Sequence, residues 1–156
     1  MKKIIRPILF ILACQLVGIV STPFTIASIP TWYKALEKPF FAPPNWVFGP
    51  AWTLLYALMG ISAYLIYQKG FKKPQVKHVL RLFGLQLFVN FIWTPIFFGL
   101  HAPMLGLVVI LIMWMLIVLT IHRFFYLSKL AAVLLLPYLA WVSFATLLNA
   151  GIAFLN

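Results

Sequence analysis

The side chains able to do chemistry in this chain are few, and most of them are aromatic. Glu37 is the only carboxylate residue. Acid–base catalysis by paired carboxylates and a Ser/His/Asp set therefore have nothing to build on. Cys14 is the only cysteine, which excludes an intrachain disulfide and a cysteine metal site. His78, His101 and His122 lie far apart, each at the end of an apolar segment. They read as interfacial histidines rather than ligands of one metal. No metal and no cofactor is expected from these residues.

What remains is an ordered set of rings and amides. Gln86, Asn90, Trp93 and Phe97 are spaced four, three and four, which puts them on one stripe of a helix. Tyr138, Trp141, Ala145 and Asn149 follow at three, four and four, and Trp52, Tyr56, Gly60 and Ala63 repeat the pattern. Gln15, Gly18 and Thr22 mark a fourth stripe. Large rings mixed with a few amides suit a flat apolar ligand carrying some polar groups. A packed core whose amides hold helices together shows the same stripes, and by composition alone it is the simpler reading.

The elements that position these stripes are five long apolar segments, at about 8–27, 45–68, 79–100, 102–124 and 128–154. Of the 156 residues 65% are hydrophobic and 8% charged, too little polar surface for a soluble domain of this size. A helix needs about 20 mostly apolar residues to cross the hydrocarbon of a bilayer. The fold class is therefore all-α, a polytopic bundle of five transmembrane helices in one domain over residues 1–156, with the lipid bilayer as its surroundings. Polar groups within spans face the bundle interior, so the stripes above mark inward faces. The fourth segment has almost nothing polar between Ala102 and Leu119 and is expected to face lipid or a second protomer.

The net charge of +11 is not a nucleic-acid signature. The basic residues flank apolar segments instead of forming a folded basic face, and no nucleic-acid partner is expected. With the N-terminus inside, ten of the 12 Lys and Arg residues fall on the cytoplasmic side and only Lys34 and Lys38 fall outside. This bias predicts N-in and C-out, in a cell (plasma) membrane. A cleaved signal peptide after Lys2, Lys3 and Arg6 is the competing reading. The long first apolar run and its interruption by Gln15 and Gly18 speak against it.

Residues 28–44 hold Pro30, Pro39, Pro43 and Pro44 together with Trp32, Tyr33, Phe40 and Phe41. A proline-stiffened aromatic loop suits a lid folded over the bundle. The alternative for each ring is a place in the aromatic belt at the headgroups. With this orientation the rings and amides of segments two, three and five converge beneath the lid.

Several ordered motifs resemble the TspO/MBR family, the translocator proteins or tryptophan-rich sensory proteins, also called peripheral-type benzodiazepine receptors. They are Thr31-Trp32-Tyr33, Lys38-Pro39, Pro43-Pro44, the run Phe48 to Tyr56, Asn90-Phe91-Ile92-Trp93 with Phe97-Phe98, and the run Pro137 to Asn149. The resemblance implies a five-helix bundle, commonly a homodimer, with a pocket closed by the first loop. It implies ligands such as porphyrins of the protoporphyrin IX type, sterols in some members, and benzodiazepine or isoquinoline drugs. Carried over by position, the pocket would include Trp32, Tyr33, Pro44, Trp52, Tyr56, Asn90, Trp93, Phe97, Trp141 and Ala145, to which the stripe of segment five adds Tyr138. Trp52 and Trp141 occupy positions linked to porphyrin chemistry. The sterol pattern at the end of segment five is missing its tyrosine and basic residue, since the chain ends Asn149 to Asn156 without either. Leu65 to Lys69 fits the generic form of that pattern elsewhere.

The expected function is a membrane receptor or sensor that binds porphyrins and other flat hydrophobic molecules. One alternative is a light-dependent porphyrin-degrading enzyme, with Trp52 and Trp141 as redox partners of an excited ligand. Another is a tetrapyrrole or sterol transporter, although the inverted repeat and broken helices of many carriers are missing.

Overall fold

The computed structural model describes residues 2–156. Helix α1 (Lys2–Ser28) continues through a wider π turn at Ile29–Tyr33, and a 3-10 turn at Asn45–Val47 leads into α2 (Phe48–Tyr67). Helix α3 (Pro74–Thr94) runs into a second π turn at Pro95–Gly99, followed by α4 (Pro103–Leu127), α5 (Lys129–Leu134) and α6 (Leu136–Leu155). With their flanking turns these make 5 spans long and apolar enough to cross a membrane, α5 and α6 together forming the last. No strand occurs among the described residues. The fold is an all-α, five-span membrane bundle.

Prolines set most of the boundaries. Pro74 and Pro103 open α3 and α4, where a missing N–H costs nothing because first-turn donors have no intrahelical partner. Pro137, one residue inside α6, cannot accept a continuous helix behind it. The segment expected as one helix over 128–154 is accordingly broken at Leu135. Ser128 starts it in extended geometry, its hydroxyl accepting the Ala131 N–H at 3.2 Å. Pro95 removes a backbone donor, and the chain answers with the wider turn that follows.

The same device extends α1. The lid expected over 28–44 is helical through Ala35, because the π turn around Pro30 absorbs the lost bond instead of ending the helix. Thr31 adds a bond from its hydroxyl to the Ala27 carbonyl at 3.0 Å. Trp32 and Tyr33 thus ride on a helical extension. Only the stretch after it is irregular. That stretch is anchored to the end of α6. The Glu37 N–H donates to Asn156 Oδ1 at 3.0 Å, and Asn156 Nδ2 returns a bond to the Glu37 carbonyl at 2.8 Å.

Segment four does not stand outside the bundle. Gly106, Ile110, Met113, Ile117, Thr120 and Phe124, spaced four and three in turn, form its buried face. Leu105, Leu111, Met115 and Leu119 on the rest of α4 remain exposed to lipid. Close approach elsewhere depends on glycine. A Cβ on Gly60 of α2 would stand 2.5 Å from the Ile11 Cα of α1, so the two backbones touch there.

Candidate ligand cavity beneath the lid

A cavity of about 350 Å³ lies between α1, α2, α3 and α6 at the lid end. This is the lower part of the range of small-molecule sites. Its walls combine the two π turns, which supply Ile29 and Tyr33 on one side and Phe97 and Phe98 on the other. The turns are fastened together: the Ser28 hydroxyl donates to the Phe98 carbonyl, and the Tyr33 and Phe98 rings are 5.7 Å apart. Both backbone irregularities enforced by proline therefore shape the site.

Seven of the expected residues line this space: Tyr33, Trp52, Tyr56, Trp93, Phe97, Trp141 and Ala145. Trp52 stacks on Tyr56 at 5.5 Å and 29° and meets Tyr138 edge-on at 6.4 Å. Trp93 stacks on Phe97 at 5.2 Å, and its indole N–H donates to Asn149 Oδ1 at 3.1 Å. Asn149 Nδ2 in turn donates to the Pro103 carbonyl at 2.8 Å, tying α6 to the start of α4. Trp141 packs edge-on to Phe48 at 6.0 Å.

Four expected residues lie elsewhere. Trp32 stacks on His101 at 4.5 Å and meets Phe97 edge-on at 5.6 Å, behind the cavity wall. Pro44 is exposed ahead of the 3-10 turn. Asn90 and Tyr138 are buried among the helices, outside the lining. Their polar groups form one directed chain: Tyr56 OH donates to Asn90 Oδ1, Asn90 Nδ2 to Tyr138 OH, and Tyr138 OH to Gln86 Oε1, each at 2.8 Å. The amide expected to face a ligand is thus engaged at both ends by tyrosines.

Two polar atoms at the cavity stand out. Tyr33 OH and Trp141 Nε1 are buried and have no hydrogen-bond partner among the described residues. A buried donor without a partner costs about 1–3 kcal/mol, so such groups are rare and call for an explanation. Both belong to lining residues. Lys38 places its ammonium 4.9 Å from the centre of the Tyr33 ring, on the lid side.

The periodic reading found part of the α1 wall, Gln15, Gly18 and Thr22, but not Ile19, Thr25 and Ile26, which line the cavity together with Gly49 and Thr53 of α2. Gln15, Gly18 and Thr22 were the available signal, a small polar stripe in an otherwise apolar span. Gly18 matters sterically, since a Cβ there would stand 2.7 Å from Tyr56 Cε2. Among the described residues no three His, Cys, Asp or Glu side chains gather to hold a metal ion.

Five spans around a ligand-sized aromatic cavity define an integral, multi-pass membrane protein with an internal pocket. Residues 10–155 match the model of the TspO/MBR family. The tryptophan-rich protein TspO of Archaeoglobus fulgidus is 46% identical over 154 residues, covering 99% of each chain. Protein CrtK of Rhodobacter capsulatus is 35% identical over 147 residues, 94% of this chain and 90% of its own. The human translocator protein is 40% identical over 142 residues, 90% of this chain and 83% of its own. The chain belongs to the TspO/MBR family.

Proposed function

We propose that this protein is a membrane receptor or sensor that binds porphyrins of the protoporphyrin IX type, and other flat hydrophobic molecules, in the cavity beneath the lid. The observation that carries this reading is the pair of unpartnered donors, Tyr33 OH and Trp141 Nε1, on residues of a ring-rich lining that also holds threonines and amides. Rings such as Trp52, Trp93 and Phe97 offer faces to a flat macrocycle. The two free donors offer what a carbonyl or carboxylate needs. Lys38 and Lys34 near the lid supply the positive charge that propionate groups would favour. The name of one relative, the tryptophan-rich sensory protein of Cereibacter sphaeroides, agrees with a sensing role.

A second reading, light-dependent consumption of the bound porphyrin, draws on the Trp52–Tyr56 stack. An excited porphyrin could take an electron from Trp52, which has an oxidisable phenol packed directly beneath it. The two readings separate in one experiment. The purified protein is titrated with protoporphyrin IX by tryptophan fluorescence quenching, then illuminated while absorbance spectra are recorded. Saturable quenching with an unchanged porphyrin spectrum supports the sensor. Porphyrin loss in light that stops in Trp52→Phe or Trp141→Phe while binding persists supports the enzyme. No quenching by the wild type rejects the pocket as a porphyrin site.

The same reading includes an N-in, C-out orientation in the cell membrane and a homodimer. The basic residues other than Lys34 and Lys38 sit at the ends of spans opposite the lid. For the dimer, α3 presents Gly84 and Phe88 outward, and nothing lies within 4 Å of a Cβ built on Gly84. A second helix can approach closely there.

A further inference from the structure

At the end of the bundle away from the lid, a second cavity of about 470 Å³ opens between the start of α1 and the end of α2. Three cations, Lys2, Lys3 and Arg6, share it with three rings, Tyr64, Tyr67 and Phe71. Lys2, Arg6 and Phe10 recur every four residues and so lie on one face of α1. Phe10 fixes where that face points, its ring lying 5.8 Å from Tyr64 and 5.3 Å from Tyr67. Tyr67 packs on Phe71 at 5.3 Å, and Lys77 of α3 places a fourth cation, its ammonium 5.8 Å from the centre of the Phe71 ring. Gln68 Nε2 donates to the Tyr64 oxygen at 2.9 Å, which leaves the Tyr64 hydrogen free to donate. The one carboxylate side chain, Glu37, is at the far end, where its backbone is bonded to Asn156.

We propose that this cleft binds a phosphate-bearing anion, the headgroup of an anionic phospholipid. Concentrated cations without a carboxylate beside them, together with a phenol donor, match a phosphodiester. The cleft also sits where a headgroup should. Further along α1 from Arg6, on the adjoining face of the helix, Leu9, Leu12 and Leu16 are exposed and apolar, a surface against which acyl chains can lie. The Leu65 to Lys69 stretch that fits the generic sterol pattern contributes Tyr67 to this same cleft. Cations around that phenol favour an anionic headgroup over an uncharged sterol. Free inorganic phosphate shares the recognising chemistry, and the test separates it from lipid.

The test uses full-length protein in mild detergent. Native mass spectrometry counts retained phosphatidylglycerol and phosphatidylcholine, with and without inorganic phosphate as competitor. One variant, Lys2→Gln/Lys3→Gln/Arg6→Gln, empties the cleft of its charge. A control, Lys69→Gln/Lys72→Gln/Lys73→Gln, removes three charges from the same end but outside the cleft lining. A third, Tyr64→Phe, removes the phenol donor and leaves the net charge unchanged. The wild type and the control should prefer phosphatidylglycerol, the cleft variant should lose that preference, and Tyr64→Phe should weaken it. Displacement of the lipid by inorganic phosphate, in the wild type and the control alike, would keep the anion site and assign it to free phosphate. Equal loss in the cleft variant and the control would overturn the proposal, because it would show a diffuse charge effect. So would a wild type that does not discriminate between the two lipids.

Discussion

Tyr56 donates a 2.8 Å hydrogen bond to Asn90, and Asn90 donates one of 2.8 Å to Tyr138, so a single amide joins α2, α3 and α6. All three side chains are buried. In a bilayer core no water replaces a lost partner. Asn90→Ala therefore leaves two buried hydroxyls short of a bond and should cost about 2–4 kcal/mol. Gln86→Leu should cost less, about 1–2 kcal/mol, because it takes the acceptor from one buried hydroxyl, Tyr138, but also removes an amide N–H that has no partner among the described residues. Thermal unfolding of the purified protein in detergent checks both, and equal destabilisation by the two would contradict the chain as drawn.

Glycines at two faces should behave in opposite ways. A Cβ on Gly60 meets backbone of α1 at 2.5 Å, and backbone cannot swing aside as a side chain does. Gly60→Val should destabilise by about 1–3 kcal/mol or more, and Gly60→Ala should already be felt. Gly84 meets nothing within 4 Å. Gly84→Leu should leave the monomer's melting unchanged or slightly raised while weakening association, read by cross-linking in lipid. An unaltered dimer would move the interface off this face, to the exposed side of α4.

The lid latch is testable separately from the bundle. Asn156 holds the Glu37 backbone by two bonds, and Pro39 seats on Gly151 so closely that a Cβ there would stand 2.8 Å from its ring. Asn156→Ala should speed amide exchange and proteolysis over 36–44 with global stability altered by less than about 1 kcal/mol. Gly151→Leu should lift the same loop and speed release of a cavity ligand. Exchange confined to other segments would dissociate the latch from the lid.

Orientation is read with one cysteine. In a Cys14→Ser background, a cysteine introduced at Asn156 should react with a membrane-impermeant maleimide in intact cells, as the proposed N-in, C-out orientation requires. Labelling only after lysis would reverse the assignment.

Much of the fold was legible because lipid imposes simple rules. Apolar length gave five spans, and polar spacing gave the inward faces of α2, α3 and α6. Hydropathy was silent at the edges. The first turns of α3, beginning at Pro74, are polar and lie outside the hydrocarbon signal, and Pro137 rather than any charge divides α5 from α6. The lid was misjudged because proline reads locally as a helix breaker, whereas a π turn lets α1 carry Trp32 and Tyr33 further. Six of the seven lining residues lie on stripes that the period of 3.6 exposes, and Tyr33 belongs to the aromatic loop motif instead. Asn90 and Tyr138 share those stripes too, but periodicity gives a face and not a depth. Their mutual hydrogen bonds, which withdraw them from the cavity, are set by packing across three helices. The stripe on α1 gave Gln15, Gly18 and Thr22 but not the rest of that wall, because Ile19 and Ile26 look like lipid-facing residues until α2 is placed beside them.

The central claim is that the cavity beneath the lid is where the ligand binds. Ala145 lines it and is only 7% exposed, so Ala145→Phe fills space there without adding charge. The decisive measurement is a fluorescence-quenching titration of the wild type and Ala145→Phe with protoporphyrin IX, with thermal unfolding confirming that both are folded. The wild type should saturate, and Ala145→Phe should lose at least about tenfold in affinity, the equivalent of about 1.4 kcal/mol. Unchanged affinity in folded Ala145→Phe would contradict the account and place porphyrin binding outside this cavity.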